Sequence, residues 1–303
     1  MWILLALCSA CLLGFYDVFK KQSLKGNAVI PVLFINTVVC SCIFLPIIIA
    51  SGCGAIEPGS PLYVPAGGWE MHRWVILKAF IVLTSWICGY FAIKHLPLTI
   101  VGPINATRPI MALIGALVIF GEKLNPWQWA GVLVAIFALY MLSRSGKKEG
   151  IDFKHNKWII LLFLAALTGA ISGLYDKYLM SPQGQAMDRL FAQGWYNCYQ
   201  ALMMGAILLF IWLPAQKKHP EKFIWRWSIP LISVFLTGAD LFYLTALSRP
   251  GAMIAIVSMA RRSSVIVSFI FGAIAFHEKN LKDKAIDLVF VLVSMILLLI
   301  GTL

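Results

Sequence analysis

Five of the ionisable side chains inside long apolar stretches of the sequence stand out, because a charge there is expensive. They are Asp17, Arg108, Asp176, Asp240 and Arg262. A charge at the centre of a lipid-exposed helix costs about 2.5–3.5 kcal/mol even on the lenient insertion scale, so such groups should face one another or water. A guanidinium stays charged, and its planar fork matches carboxylates and phosphates. The two arginines therefore predict the recognition of an anionic group.

Arg108 and Arg262 are the deepest of these groups. Each lies ten residues after the start of its apolar stretch, at Leu98 and Ala252, which is about 15 Å at 1.5 Å per residue. That distance places both near the middle of a bilayer. The alternative interpretation is a pair of Asp–Arg bridges that only tie helices together, and Arg261 competes with its neighbour for either role.

Two prolines flank the first of these arginines, in the segment from Pro103 to Pro109. A proline frees the carbonyl about four residues earlier from its helical hydrogen bond. Interrupted helices at corresponding depths point to a binding site, and Asn105 would supply a hydrogen bond there. The ninth apolar stretch has no proline, and serines provide its polarity instead.

The carboxylates predict gating or coupling. Asp17 and Asp176 lie near the ends of their stretches. Each could hold a gate shut through an ion pair with a lysine or arginine and release the gate when the carboxylate is protonated. Alternatively, each side chain only reaches the membrane interface beside nearby lysines. Asp240 lies well inside the eighth stretch and is the better candidate for a proton carrier. The other candidate ligand contacts are aromatic or amide side chains, namely Trp86, Tyr90, Asn197 and Tyr243.

The composition shows which elements must position these groups. The chain has 303 residues, of which 60% are hydrophobic and 13% charged, whereas a soluble domain is about 45–50% apolar and about 25% charged. A membrane-spanning helix needs about 20 apolar residues. The sequence predicts an all-α integral membrane protein with ten transmembrane helices, over residues 2–20, 28–50, 74–93, 98–120, 127–143, 157–179, 190–213, 228–247, 252–276 and 285–302.

An internal repeat divides the predicted helices into two groups of five, over residues 1–148 and 149–303. Short matches fall in the same order in both halves: Gly14-Phe15-Tyr16-Asp17 with Gly173-Leu174-Tyr175-Asp176, Asn36 with Asn197, Arg108 with Arg262, and Gly121-Glu122-Lys123 with His277-Glu278-Lys279. Because five is odd, the halves must be inverted in the membrane. Inverted repeats allow two halves to exchange conformations, which gives alternating access.

The ten spans, the repeat and the two glutamate-containing motifs resemble the EamA family of the drug/metabolite transporter superfamily. The second motif departs from the pattern, since His277 replaces glycine. The resemblance implies secondary transport of small metabolites, typically the export of amino acids or related anionic or zwitterionic compounds, without nucleotide hydrolysis. It also implies a central cavity lined mostly by the first, third, fourth, sixth, eighth and ninth helices. Independently of the resemblance, Asp240 makes protons a candidate coupling ion.

The distribution of basic residues predicts the orientation. Of the 25 lysines and arginines, sixteen fall in odd-numbered connections and four in even-numbered ones. Basic residues of short loops favour the cytoplasmic side, so the count places both termini outside, whereas the resemblance implies cytoplasmic termini. The expected location is the bacterial inner membrane. Since the net charge of +12 reports topology, we expect lipid and a small molecule as partners and no nucleic acid.

Signatures of other classes are absent from the sequence. It contains no His-Glu-x-x-His, no Gly-x-Ser-x-Gly and no Gly-x-x-x-x-Gly-Lys pattern, and its seven cysteines lack metal-ligand spacing. The sequence therefore predicts no cofactor, no metal and no enzyme. A flippase for a lipid-linked metabolite would use the same fold and the same arginines, and it remains open beside the less favoured intramembrane enzyme.

Overall fold

Helices form every regular element that the structure describes. A computed structural model describes residues 2–111, 114, 124–148, 150–180, 184–216, 220–247, 257 and 260–301. The helices are α1 (Trp2–Leu24), α2 (Val29–Gly52), α3 (Trp69–His95), α4 (Leu98–Ala106), α5 (Pro126–Lys147), α6 (Lys157–Met180), α7 (Arg189–Ile207), α8 (Ser228–Leu247), α9 (Ser264–Ala275) and α10 (Leu281–Ile300). A π-helical turn, Leu208–Trp212, and a short helical turn, Leu213–Gln216, continue α7.

Seven of the described helices are long and apolar enough to cross a membrane. These candidate spans cover Ile3–Leu24, Val29–Gly52, Trp69–His95, Pro126–Lys147, Lys157–Asp176, Arg189–Gln216 and Leu281–Gly301, and Ser228–Tyr243 is a shorter apolar helix. Parts of the predicted fourth and ninth spans lie outside the described residues, as does the Gly121-Glu122-Lys123 motif. The chain is a multi-pass helical membrane protein, and the number of ten spans stays a prediction.

The helices pack in pairs that combine the two halves of the chain. α1 packs on α8 and α3 packs on α6, while α2 packs on α7, α4 on α9, and α5 on α10. Close approaches between backbones occur near the centre of the molecule. A Cβ atom added to Gly14 would lie 2.4 Å from Cβ of Val267, and one added to Gly102 would lie 2.7 Å from Cγ2 of Val265. Glycine thus lets α1 and α4 lie directly against α9.

The helices beside both arginines are interrupted in the same way. α4 ends at Ala106, with a turn at Thr107, and α9 begins after a turn at Ser263. The Thr107 hydroxyl donates to the carbonyl of Ile104 at 2.7 Å, and the Ser263 hydroxyl donates to the carbonyl of Ala260 at 2.6 Å. Such local bonds compete with the helical ladder. The proline-based prediction anticipated the first interruption, while the second occurs without a proline.

Eight of the sixteen basic residues that the charge count assigned to odd-numbered connections lie instead within helices, among them Lys20, Lys21 and Lys284. Lys20 and Lys21 belong to the last turns of α1, and Lys284 belongs to the first turn of α10, where it is 0% exposed. Lys21 donates hydrogen bonds to the carbonyls of Ile93 and Leu96, which lie at the C-terminal end of α3. Their assignment as connection charges was wrong, because the helices extend further than the apolar stretches do.

Candidate functional site

Arg108 lies directly after the interruption that ends α4. Its Nη2 atom donates to Oδ1 of Asn105 at 3.0 Å, while its buried Nε atom has no hydrogen-bond partner among the described residues. The guanidinium packs against the backbone of α6 at Gly169, where an added Cβ would lie 2.9 Å from both Cζ and Nη1. The sequence analysis placed Arg108 and Asn105 in one candidate site, but it predicted neither their hydrogen bond nor the glycine that makes room for the guanidinium.

Arg262 lies directly before the second interruption. No carboxylate lies within 4.0 Å of the guanidinium of Arg108 or Arg262 in the part of the chain that the structure describes. The centre of the molecule therefore holds positive charge that no contacting carboxylate neutralises, which favours the binding of an anion.

Arg261, rather than Arg262, forms the ion pair with Asp240. Nη2 of Arg261 donates to Oδ1 of Asp240, and Nε2 of Gln193 donates to Oδ2 of the same carboxylate at 3.2 Å. The Arg261 guanidinium also lies 4.5 Å from the ring centroid of Tyr243. This pair connects α8 to the segment before α9, and Gln193 adds α7. The sequence named Asp240 and Tyr243 but did not identify Gln193.

Asp17 forms an ion pair within its own helix and also contacts α9. Oδ1 of Asp17 lies 2.7 Å from Nζ of Lys20, and the Ser268 hydroxyl donates to Oδ2 at 3.4 Å. Nζ of Lys20 lies 4.1 Å from the ring centroid of Tyr16 and 5.3 Å from that of Tyr90. Asp17 and Tyr90 are therefore brought together around a buried lysine.

Asp176 pairs with a lysine of a different helix. Oδ1 of Asp176 lies 2.8 Å from Nζ of Lys78, and the Lys78 residue is 4% exposed. Nζ of Lys78 also lies 4.7 Å from the ring centroid of Tyr196. The pair links α6 to α3. The sequence showed Lys78 inside an apolar stretch, yet nothing in the pattern identified its partner.

The remaining predicted contacts occupy different environments. Tyr90 is 1% exposed, and its hydroxyl has no hydrogen-bond partner among the described residues. Trp86 is half-buried against the same apolar cluster. Asn197 is buried and donates to the carbonyl of Gln193 at 2.9 Å, within its own helix. Among these three, Tyr90 is consequently the only one with a fully buried polar atom that lacks a hydrogen-bond partner in the part of the chain described.

The described residues contain no group of three or more His, Cys, Asp or Glu side chains that could hold a metal ion. Within the described residues, Arg108 and Arg262 are arranged so that they can bind an anion, and the aspartates are held in ion pairs. Together with the apolar helices, this arrangement defines a multi-pass membrane protein with a charged interior.

Comparison with known proteins assigns the family. The model of the EamA-like transporter family matches residues 1–144 and 156–300, and the chain belongs to this family. It is a membrane transporter, and the predicted resemblance is confirmed.

The relatives agree with this assignment. An uncharacterized transporter of Archaeoglobus fulgidus (strain ATCC 49558 / DSM 4304 / JCM 9628 / NBRC 100126 / VC-16) is 22% identical over 301 residues, covering 98% of this chain and 97% of that protein. An uncharacterized transporter in the cobO 3′ region of Sinorhizobium sp. is 28% identical over 131 residues, covering 43% of this chain and 88% of that protein. A solved crystal structure superposes on this chain with a TM-score of 0.59 and a sequence identity of 16%. The match covers 98% of this chain and 96% of the other. That superposition shows a shared fold.

Proposed function

We propose that the protein is a secondary transporter that exports small anionic or zwitterionic metabolites, such as amino acids, by alternating access. The observation that carries the proposal is the pair of arginines, Arg108 and Arg262, beside two helix interruptions and without a contacting carboxylate among the described residues. A substrate carboxylate would neutralise this charge. Export, as opposed to uptake, rests on the family resemblance.

The packing of the helices supports alternating access through inverted halves. Exchanging the halves converts the α1–α8 pair into the α6–α3 pair, and both pairs are present. The interruptions lie in the matching fourth and ninth stretches, at Thr107 just before Arg108 and at Ser263 just after Arg262, and each has the same hydroxyl-to-carbonyl bond. Two halves with equivalent contacts can exchange conformations, and that exchange would open the site to one side and then to the other.

The ion pair of Asp240 and Arg261 supplies a route for proton coupling. Protonation would neutralise the carboxylate, weaken its bridge to Arg261 and leave Gln193 as its hydrogen-bonding neighbour. Release of Arg261 would free α8 from the segment that precedes α9. Asp17 and Asp176 lie at corresponding positions of the two halves and would act at the two gates, Asp176 through its ion pair with Lys78 of α3 and Asp17 through its contact with Ser268 of α9.

Transport by reconstituted vesicles tests the anion site. The purified protein would be loaded with unlabelled L-glutamate, L-aspartate or L-alanine, and exchange with external labelled compound would be measured. We expect Arg108→Gln and Arg262→Gln to abolish exchange of every substrate that carries a carboxylate. Arg73→Gln is the matched control, since Arg73 is exposed and pairs only with Glu70 among the described residues. Wild-type rates in both central variants would end the anion proposal.

The pH dependence of transport tests the coupling role. Asp240→Asn keeps the size of the side chain but cannot release a proton, so exchange by this variant should become independent of pH while net transport driven by a proton gradient disappears. Glu57→Gln is the control, because Glu57 is exposed in a connection. A proton-driven rate that survives in Asp240→Asn would remove this carboxylate from the coupling step.

An apolar groove between α9 and α10 favours the flippase as a second candidate. It has a volume of about 280 Å³ between α9 and α10 and is lined by Ser263, Ile266, Leu292, Met295, Ile296 and Leu299. Ser263 is adjacent to Arg262, so an apolar chain in this groove would bring a phosphate near the guanidinium. Movement of a fluorescent lipid-linked phosphate across the vesicle membrane, without amino acid exchange, would establish this function in place of the first.

A further inference from the structure

A basic groove lies at the C-terminal end of α5, apart from the central arginines. It has a volume of about 710 Å³ and is lined by Tyr140, Ser143, Arg144, Lys147, Lys148 and Lys154. The connection between α5 and α6 closes one side of it. None of these residues belongs to the transport site proposed above, so the groove calls for a separate explanation.

Most of the positive charge in the groove lacks a carboxylate partner. Lys148 pairs with Asp283 at 2.5 Å, whereas Arg144, Lys147 and Lys154 are exposed and form no ion pair in the described part of the chain.

The acidic residues of the same connection do not cancel this charge. The carboxylate of Asp152 is paired with Nδ1 of His155 at 2.7 Å, and this hydrogen bond holds the pKa of Asp152 below its usual value. Glu149 lies outside the described residues. Over residues 144–157, five basic residues face two acidic ones, which leaves a net charge of +3. The groove is therefore a place where an anion would be attracted.

An apolar surface leads along the same helix into the groove. Leu133, Ile136, Phe137 and Tyr140 of α5 are all exposed, by 46% to 62%. Tyr140, Arg144 and Lys147 follow at helical spacings of four and three residues, so they share one face of the helix. Tyrosine is enriched where hydrocarbon meets headgroups. A molecule on this face would meet hydrocarbon first, then an aromatic ring, then cations.

We propose that the basic groove binds the phosphate headgroup of an anionic phospholipid, whose acyl chains lie along the exposed apolar face of α5. A phospholipid matches both observations at once, because its phosphate fits the cations and its chains fit the face from Leu133 to Tyr140. Free phosphate would use only the cations. Basic residues close to a membrane surface attract anionic lipids, and this groove concentrates three unpaired ones.

The test measures the thermal stability of the full-length protein in phosphatidylcholine nanodiscs as phosphatidylglycerol is added. A lipid that binds the folded state raises the melting temperature in a saturable way. We expect the melting temperature of the wild type to rise to a plateau. The combined variant Arg144→Gln, Lys147→Gln and Lys154→Gln should have an apparent affinity for phosphatidylglycerol that is at least about tenfold weaker. Each basic residue near the surface contributes about 1 kcal/mol, and about 1.4 kcal/mol corresponds to a tenfold change in affinity.

A variant with the same loss of charge elsewhere is the matched control. Lys222→Gln, Lys279→Gln and Lys282→Gln also remove three exposed lysines from connections or helix ends, and this protein should keep the affinity of the wild type. Inorganic phosphate at equal concentration should produce no comparable stabilisation. Equal weakening in both variants, equal stabilisation by phosphate, or no preference for phosphatidylglycerol over phosphatidylcholine would each overturn the proposal.

A second measurement covers the case in which the groove variant does not fold. The wild type in nanodiscs would be irradiated with phosphatidylglycerol that carries a photoreactive group next to its phosphate, and the labelled peptides would be mapped. Labelling concentrated between residues 140 and 154 supports the proposal. Labelling spread evenly over all connections overturns it.

Discussion

Glu278 should fix the position of α4, which carries Asn105 and leads directly to Arg108. Its carboxylate accepts hydrogen bonds from the backbone N–H of Leu98 at 2.6 Å, the N–H of Thr99 at 2.9 Å and the Thr99 hydroxyl at 2.6 Å. The residue before α4, Pro97, provides no side-chain cap. Glu278 therefore caps α4 from the other end of the chain, and its charge lies at the positive end of the helix dipole.

The expected cost of Glu278→Ala follows from these bonds. The first N–H groups of a helix have no intrahelical partner, so the substitution would leave two buried donors unsatisfied at about 1–3 kcal/mol each. Glu278 itself is half-buried, and water could reach part of the vacated space. We expect a loss of about 2–3 kcal/mol, or about 3–5 °C in melting temperature, and about half of that loss for Glu278→Gln, which retains one acceptor oxygen.

Thermal unfolding of the purified protein in one neutral detergent measures this effect. Glu57→Ala is the control, because its exposed side chain has no hydrogen bond among the described contacts. The Thr99 hydroxyl accepts a hydrogen bond from Lys284 at 3.0 Å and donates one to Glu278, so the two residues should be energetically coupled. Thr99→Val, alone and combined with Glu278→Ala, completes the double-mutant cycle that measures this coupling. A melting temperature equal to that of Glu57→Ala, or strictly additive losses in the cycle, would refute the capping role.

Hydropathy was sufficient to predict where most helices lie, but it did not identify the most deeply buried charges, Lys284 and Asp287, which are 0% exposed. Ionisable groups inside apolar stretches are few, so Asp17, Arg108, Asp176 and Asp240 stand out without any knowledge of the fold. Their partners are set by tertiary contacts instead. Lys78 reaches Asp176 from a helix about a hundred residues earlier in the chain, and no local period encodes that pairing.

Neighbouring residues show the limit of pattern-based prediction most clearly. Arg261 and Arg262 point about 100° apart on a helix of 3.6 residues per turn, and only the position of Asp240 decides which one forms the bridge. The interruption at Ser263 was equally hidden, because its cause is a hydroxyl bond to Ala260 rather than a proline. The sequence predicts a charged site near mid-membrane, and the packing of the helices determines which side chains meet there.

Two glycine substitutions separate the geometry of the site from the packing of the helices. Gly169→Ala should displace the guanidinium of Arg108, because the added Cβ would lie 2.9 Å from Cζ. The loss of one charged hydrogen bond costs about 1.5–3 kcal/mol, so carboxylate binding should weaken at least about tenfold. The affinity would be measured by titrating the melting temperature with L-glutamate, or with whichever amino acid the protein exchanges. The control is Gly173→Ala, one turn along α6, where nothing lies within 4 Å of the added Cβ. This variant should bind the ligand like the wild type. Equal affinities in the two variants would show that Arg108 does not contact the ligand. Gly14→Ala should instead lower the stability by about 1–3 kcal/mol, because its Cβ would overlap α9 at Val267, whereas Gly52→Ala meets no neighbour within 4 Å and should unfold near the wild-type temperature. If Gly14→Ala also unfolds at that temperature, α1 and α9 are not in the close contact on which the central site depends.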